Sequence, residues 1–134
     1  MTRIPHAEMV DVFSRALEAR SVAADRAHKI AVILTDSTCD GVPSHGLHRF
    51  PGIVEDIETG RIVPSADAEC VGSFGALEQW DARQGPGVLT ATTAMARAVE
   101  IAQVSTMGCV ALRNANHWMR AATYGLQAAA AGCL

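Results

Sequence analysis

"GVLTATTAMARAVEIAQVSTMGCVALRN", residues 87–114, reads as a helix handing over to a strand. Its first eighteen residues bring Val88, Met95, Val99 and Ala102 to one side at helical spacing. "GCVALRN" (108–114) is short, apolar and β-branched, the composition of a strand. Upstream, "AECVGS" (68–73) and "ALEQWDA" (76–82) are two more short strands joined around Gly72 to Gly75, and downstream "WMRAATYGLQAAAAG" (118–132) is an alanine-rich helix. The order strand, strand, helix, strand, helix makes residues 66–134 the first part of a mixed α/β domain. The sequence stops at "AGCL", where an α/β unit ordinarily delivers another parallel strand, and a small sheet with an uncovered edge is a poor stopping place. A chain truncated at its C-terminus is expected.

Residues 1–65 differ in pattern and are expected to form an N-terminal helical region. From Pro5 to about Arg20, Met9, Phe13, Ala16 and Leu17 share one face of an amphipathic helix, with Pro tolerated in its first turn. A second helix runs from about Ala23 to Cys39, and its "IAVIL" centre, apolar nearly all round, makes it the buried member of the cluster. A third covers Ser44 to Thr59, with a kink or fresh first turn at Pro51 and a stop at Gly60. "RIVPSAD" (61–67) reads as a linker, and the fold class is α/β (α+β).

The 134 residues are 49% apolar and carry a net charge of −3, which argues for a packed core and against a basic surface for nucleic acid. No apolar run approaches the roughly 20 residues of a membrane span, and the N-terminus lacks the plan of a secretory signal. The cytoplasm is the default expectation. The four cysteines, 39, 70, 109 and 133, show no CxxC spacing and read as free, mostly buried thiols.

Chemistry-bearing residues gather in two places. In "DSTCDGVPSHGLHRF" (36–50), a helix capped by Ser44 would carry His45 and Arg49 at i,i+4 on one face, with His48 on a neighbouring face. Such a pair suits a small keto acid, Arg gripping the carboxylate through two parallel hydrogen bonds and His giving a proton to the ketone oxygen. The same residues fit a plain surface helix start in which Arg49 pairs with Glu55 or Asp56. The second place is "RNANHWMRAATYG" (113–125), where Asn114, Asn116 and His117 follow a strand at the position where α/β sheets put ligand chemistry. There Asn116 as a helix cap with His117 in the first turn is the structural alternative, and Arg120 reads either as a contact to a cofactor pyrophosphate or as a solvated first-turn residue. "GPGVLT" (85–90) lacks the third glycine of a dinucleotide fingerprint and reads as turn plus cap. No carboxylate stands at i±3 or i±4 from His45 or His48, so no metal site is expected.

Taken together, "GVPSHGLHRFPGIVEDIETGRIVP" (41–64), "GALEQWDA" (75–82) and "ALRNANHWMRAATYG" (111–125) resemble the N-terminal part of the type-2 malate/L-lactate dehydrogenase family over essentially the whole chain. Within it, "LRNANHWMR" resembles the branch that reduces 2,3-diketo-L-gulonate. The resemblance implies a non-Rossmann, NADH- or NADPH-dependent oxidoreductase. It implies His45 as the acid–base residue, Ser44 and Arg49 on the substrate, a homodimer, and His117 as a second active-site histidine that is the proton acceptor in some relatives, so that His45 and His117 both stay candidates for the proton-carrying residue. Most of the cofactor site is expected beyond Leu134, with Arg120 the one candidate contact here. Trp118 and Arg120 depart from relatives with "NHFG" and a small-residue run, which favours a sugar acid over malate or lactate. A malate, lactate or ureidoglycolate dehydrogenase stays open, as does a fragment acting only as an interaction module.

Overall fold

The computed structural model describes residues 3–134, which divide into two compact units on either side of a boundary between Ser65 and Ala66. The first holds α1 (His6–Glu18), α2 (Ala24–Cys39), two 3-10 turns (Pro43–His45 and Leu47–Arg49) and α3 (Phe50–Glu58). The second holds β1 (Glu69–Phe74), β2 (Leu77–Asp81), α4 (Gly87–Ser105), β3 (Cys109–Arg113) and α5 (Ala121–Ala130). This is an α/β fold with an N-terminal helical region.

In the first unit the apolar spacing of α1 and α2 does the work. Val10, Phe13 and Leu17 of α1 are buried with Ala27, Ile30, Ala31 and Leu34 of α2, and burying each large side chain contributes about 1.5–3 kcal/mol. The buried face of α1 also takes in Ser14 and leaves Met9 and Ala16 half-buried, a rotation from the expected stripe. The Phe13 and Phe50 rings stack with centroids 4.0 Å apart, which fixes α3 against α1. At the rim His6 Nε2 meets Asp36 Oδ1 at 2.7 Å and Arg20 Nε donates to Glu58 at 2.8 Å.

The third helix is shorter than the sequence predicts. Residues 43–49 are two separate 3-10 turns, and the α-helix starts only at Phe50, with Pro51 in its first turn. Pro51 has no amide to donate and its ring excludes a regular helix running into it, so a fresh start is the physical solution. The break falls at Gly46, whose backbone (φ −130°, ψ −117°) lies flat on α2.

In the second unit β1 pairs antiparallel with β2, with a register shift between Cys70 and Gly72, and β2 pairs parallel with β3 from Leu77↔Cys109 to Asp81↔Arg113. A parallel pair needs a crossover, and α4 supplies it. Glu78 on β2 anchors that helix: Arg97 grips its carboxylate from Nε (3.1 Å to each oxygen) and Nη2 (2.7 Å), while Trp80 Nε1 donates at 2.9 Å. These bonds, Arg97 first and then Trp80, hold the Glu78 carboxyl below its usual range. The buried face of α4 is Val88, Thr90, Ala91, Ala94 and Ile101, whereas the expected Met95, Val99 and Ala102 are only half-buried.

Two further expectations are corrected. The cysteines are free, but Cys39, Cys70 and Cys109 are exposed, because each ends a helix or sits on a strand face that no helix covers among the described residues. The last helix starts at Ala121 rather than Trp118, since Met119 adopts a left-handed backbone (φ 67°) that no helix accommodates.

Candidate active site

The residues singled out from the sequence lie in both units: Ser44, His45 and Arg49 in the first, His117 and Arg120 in the second. In the first, the seven-residue turn 43–49 is pinned to the end of α2. Thr38 Oγ1 donates to the Leu34 carbonyl (2.8 Å) and accepts the Leu47 amide (2.8 Å), so one hydroxyl closes the helix and seats the turn. Gly46 makes this approach possible, because a Cβ there would stand 2.1 Å from Thr38 Oγ1 and 2.5 Å from the Leu34 oxygen.

Ser44 does not cap a helix. Its hydroxyl lies 3.1 Å from His45 Nδ1, a contact that orients the half-buried imidazole. His45 and Arg49 close successive 3-10 turns, so the i,i+4 face expected of an α-helix is not formed, and His48 is exposed. Arg49 reaches Asp56 Oδ2 at only 4.0 Å, the long edge of an ion pair. The stronger partner of Asp56 is Arg61, whose Nε donates to Oδ1 at 2.6 Å and whose guanidinium is held above its usual pKa chiefly by that bond. Asp56 is thus the partner foreseen for Arg49, but one largely engaged elsewhere.

In the second unit, residues 114–120 form an extended loop rather than a helix start. Asn116 is no cap: its Nδ2 donates to the carbonyls of Gln84 (2.8 Å) and Gly85 (3.1 Å). His117 therefore stands four residues before α5, not in its first turn, and Nδ1 of its ring accepts the Met119 amide at 2.9 Å. Arg120 occupies the residue just ahead of α5, half-buried. His117, Gly87, Thr90, Val110, Leu112 and Trp118 border a cavity of about 590 Å³ beneath the loop. Trp118 stacks on Tyr124 (5.6 Å), whose hydroxyl donates to the Trp118 carbonyl, and burial pushes the Tyr124 phenol up.

Asp81 is the residue that sequence reasoning passed over. At the end of β2 it accepts the Arg83 amide (2.9 Å), Arg113 Nε (3.0 Å) and, through both oxygens, Asn114 Nδ2 (3.1 and 3.0 Å). The amide and the Asn114 side chain are the leading causes that hold its carboxyl below the usual range. The signal was present in "EQWDA" facing "LRN", since an acid and an arginine at matched strand ends meet when the strands pair in register.

A nicotinamide dinucleotide does not find a complete site among these residues. The glycines of "GPG" face the chain's own backbone: a Cβ at Gly85 would lie 2.7 Å from the Ala66 carbonyl and one at Gly87 2.2 Å from that of His117. They serve close packing, not a phosphate cradle. Among the described residues there is also no group of three potential metal ligands, and no helix long and apolar enough to cross a membrane.

Residues 4–134 match the family model described as malate/L-lactate dehydrogenase. The chain is 45% identical over 130 residues to 2,3-diketo-L-gulonate reductase of Salmonella newport (strain SL254) and 48% identical to that of Pasteurella multocida (strain Pm70), in each case covering 97% of this chain and 39% of the relative. Among solved structures, malate dehydrogenase from Pyrococcus horikoshii OT3 superposes with a TM-score of 0.93 at 27% identity, over 98% of this chain and 38% of that one. Sulfolactate dehydrogenase from Methanocaldococcus jannaschii superposes at 0.89 with 29% identity, over 93% and 36%. The chain thus spans about 39% of the length of the curated relatives it matches.

Proposed function

The chain belongs to the malate/L-lactate dehydrogenase family, and from that premise we propose that it is the substrate-meeting part of an NAD(P)H-dependent reductase of a 2-keto sugar acid resembling 2,3-diketo-L-gulonate. The observation that carries the proposal is the turn 43–49, where His45 is oriented by Ser44 and Arg49 is only loosely engaged by Asp56. The guanidinium holds the substrate carboxylate through paired hydrogen bonds. His45 gives a proton to the ketone oxygen, and Ser44 keeps the imidazole turned toward it. When bound, NADH or NADPH supplies the hydride that completes reduction to the 2-hydroxy acid. The choice of a sugar acid is supported by the 45–48% identity to relatives of that name. A homodimer, and a minor cofactor contact from Arg120, belong to the same proposal.

The test is a substrate panel on a polypeptide in which this chain is continued by the remaining segment of the Pasteurella multocida relative. Oxidation of NADH with 2,3-diketo-L-gulonate, well above that with the keto acids of malate, lactate or ureidoglycolate, is the expected result. Preference for one of the latter would move the assignment to another branch of the family. No turnover, together with tight association of the bare chain with an intact relative, would support an interaction module.

A further inference from the structure

Ser44 and His45 stand on an arch, residues 42–47, both of whose feet rest on the end of α2. At the first foot Gly41 turns the chain out of the helix with a left-handed backbone (φ 79°), its amide reaching the Thr38 carbonyl at 3.1 Å and that of Val42 the Ser37 carbonyl at 2.9 Å. At the second foot the Leu47 amide donates to Thr38 Oγ1 at 2.8 Å. Between them the His45 and Gly46 amides donate to the carbonyls of Val42 (3.0 Å) and Pro43 (3.1 Å), so the span keeps its curvature while its feet fix its place. Arg49 lies past the second foot, on the way into α3.

Hydroxyls bonded back to the carbonyl four residues earlier occur at Ser37, Thr38, Thr59, Thr92 and Thr93. Such a bond ordinarily does no more than satisfy the hydroxyl. Of these five, Thr38 alone also accepts an amide from another segment among the described residues. Its proton is committed to the Leu34 carbonyl, so a lone pair of the same oxygen is what meets Leu47. The first foot is made of main chain and survives any side chain at position 38, whereas the second depends on that oxygen. We infer that Thr38 is a positioning residue, whose hydroxyl clasps the arch at Leu47 and so sets where Ser44 and His45 stand. Resting on the functional reading above, Thr38 touches no substrate and acts on kcat through His45. Arg49, beyond the clasp, keeps its hold on the carboxylate, so KM changes little.

Amide hydrogen exchange and histidine ring spectra of the 134-residue chain test it in Thr38→Val, with Thr38→Ser as the conservative variant, Thr93→Val as the control and His45 assigned through His45→Gln. In Thr38→Val the Leu47 amide should exchange about fivefold faster and the His45 ring signals should move, with both restored in Thr38→Ser and neither altered in Thr93→Val. Far-UV circular dichroism verifies folding, and Thr38→Ala, which removes the clasp without adding a methyl against Gly46, takes the place of Thr38→Val if that variant does not fold. In the polypeptide continued by the relative's segment, kcat per bound NADH should fall about 10–100-fold in the same variant and recover in Thr38→Ser. Unchanged Leu47 exchange or unmoved His45 signals in the folded variant overturn the inference, as does a loss that Thr38→Ser fails to restore or a kcat that holds. No turnover by the parent polypeptide strikes the functional reading alone, and the spectra of the 134-residue chain still decide whether Thr38 sets the arch.

Discussion

Replacing Gly46 with Ala should meet harder contacts than the same change at any other glycine of the first unit. The new Cβ would lie 2.1 Å from Thr38 Oγ1, 2.5 Å from the Leu34 carbonyl oxygen and 2.9 Å from the Thr38 nitrogen, against ordinary contacts of 3.4–4 Å. Two of the three are backbone atoms of α2, and Leu34 is fully buried, so the helix has nowhere to retreat. Thr38 can rotate only by giving up its bond from the Leu47 amide. Overpacking costs about 1–3 kcal/mol and the lost hydrogen bond about 1 kcal/mol, together about 2–4 kcal/mol. For a unit of this size that lowers Tm by roughly 10 °C or more. Both tryptophans, Trp80 and Trp118, belong to the second unit, so a backbone probe is the better readout. Far-UV circular dichroism during thermal and urea unfolding, with hydrogen exchange of the Leu47 amide, reads it directly. Adding Thr38→Ala to Gly46→Ala should recover part of the loss, a non-additivity that follows from the shared contact. A stability within about 0.5 kcal/mol of the parent, with the Leu47 amide still protected, would refute the reasoning.

Three other outcomes follow from the same geometry. Because the Glu78 carboxyl is held below its usual range by Arg97 and Trp80, its contribution is complete above the unfolded value of about 4.3 and is lost as pH falls through the lower folded value. The stability gap between the parent and Glu78→Gln, measured by urea unfolding, should therefore be widest near neutrality and close in acid. Tyr124 is the sole tyrosine, and burial raises its phenol, so ultraviolet titration should show no tyrosinate until pH is well above about 10, with stability falling once the unfolded phenol ionises. Arg61→Ala frees Asp56 for Arg49, now 4.0 Å away; a surface pair worth up to about 1 kcal/mol should raise KM for the keto acid up to about fivefold in the continued polypeptide while kcat holds.

Residue pattern carried the second unit well. Strand, strand, helix, strand, helix is visible because β-branched runs alternate with one long helical period, and the motifs around His45 and "NANH" identify the family. What the pattern missed has local causes. Periodicity cannot tell a 3-10 turn from an α-helix, and the break at Gly46 is imposed by Thr38 and Leu34, eight and twelve residues upstream, which no local window contains. The left-handed Met119 is equally invisible, since methionine rarely adopts that conformation, and the helical pattern runs through it from Trp118 although the helix starts at Ala121. The role of Asp81 depends on parallel register between β2 and β3, a long-range fact that spacing along the chain does not encode.

The most direct measurement is kcat for reduction of 2,3-diketo-L-gulonate by the continued polypeptide carrying His45→Ala, with NADH affinity measured on the same protein. A general acid contributes about 10²–10⁴ in rate, so the account predicts a kcat lower by that factor with NADH binding unchanged. Turnover retained in His45→Ala, or lost only in His117→Ala, would contradict it.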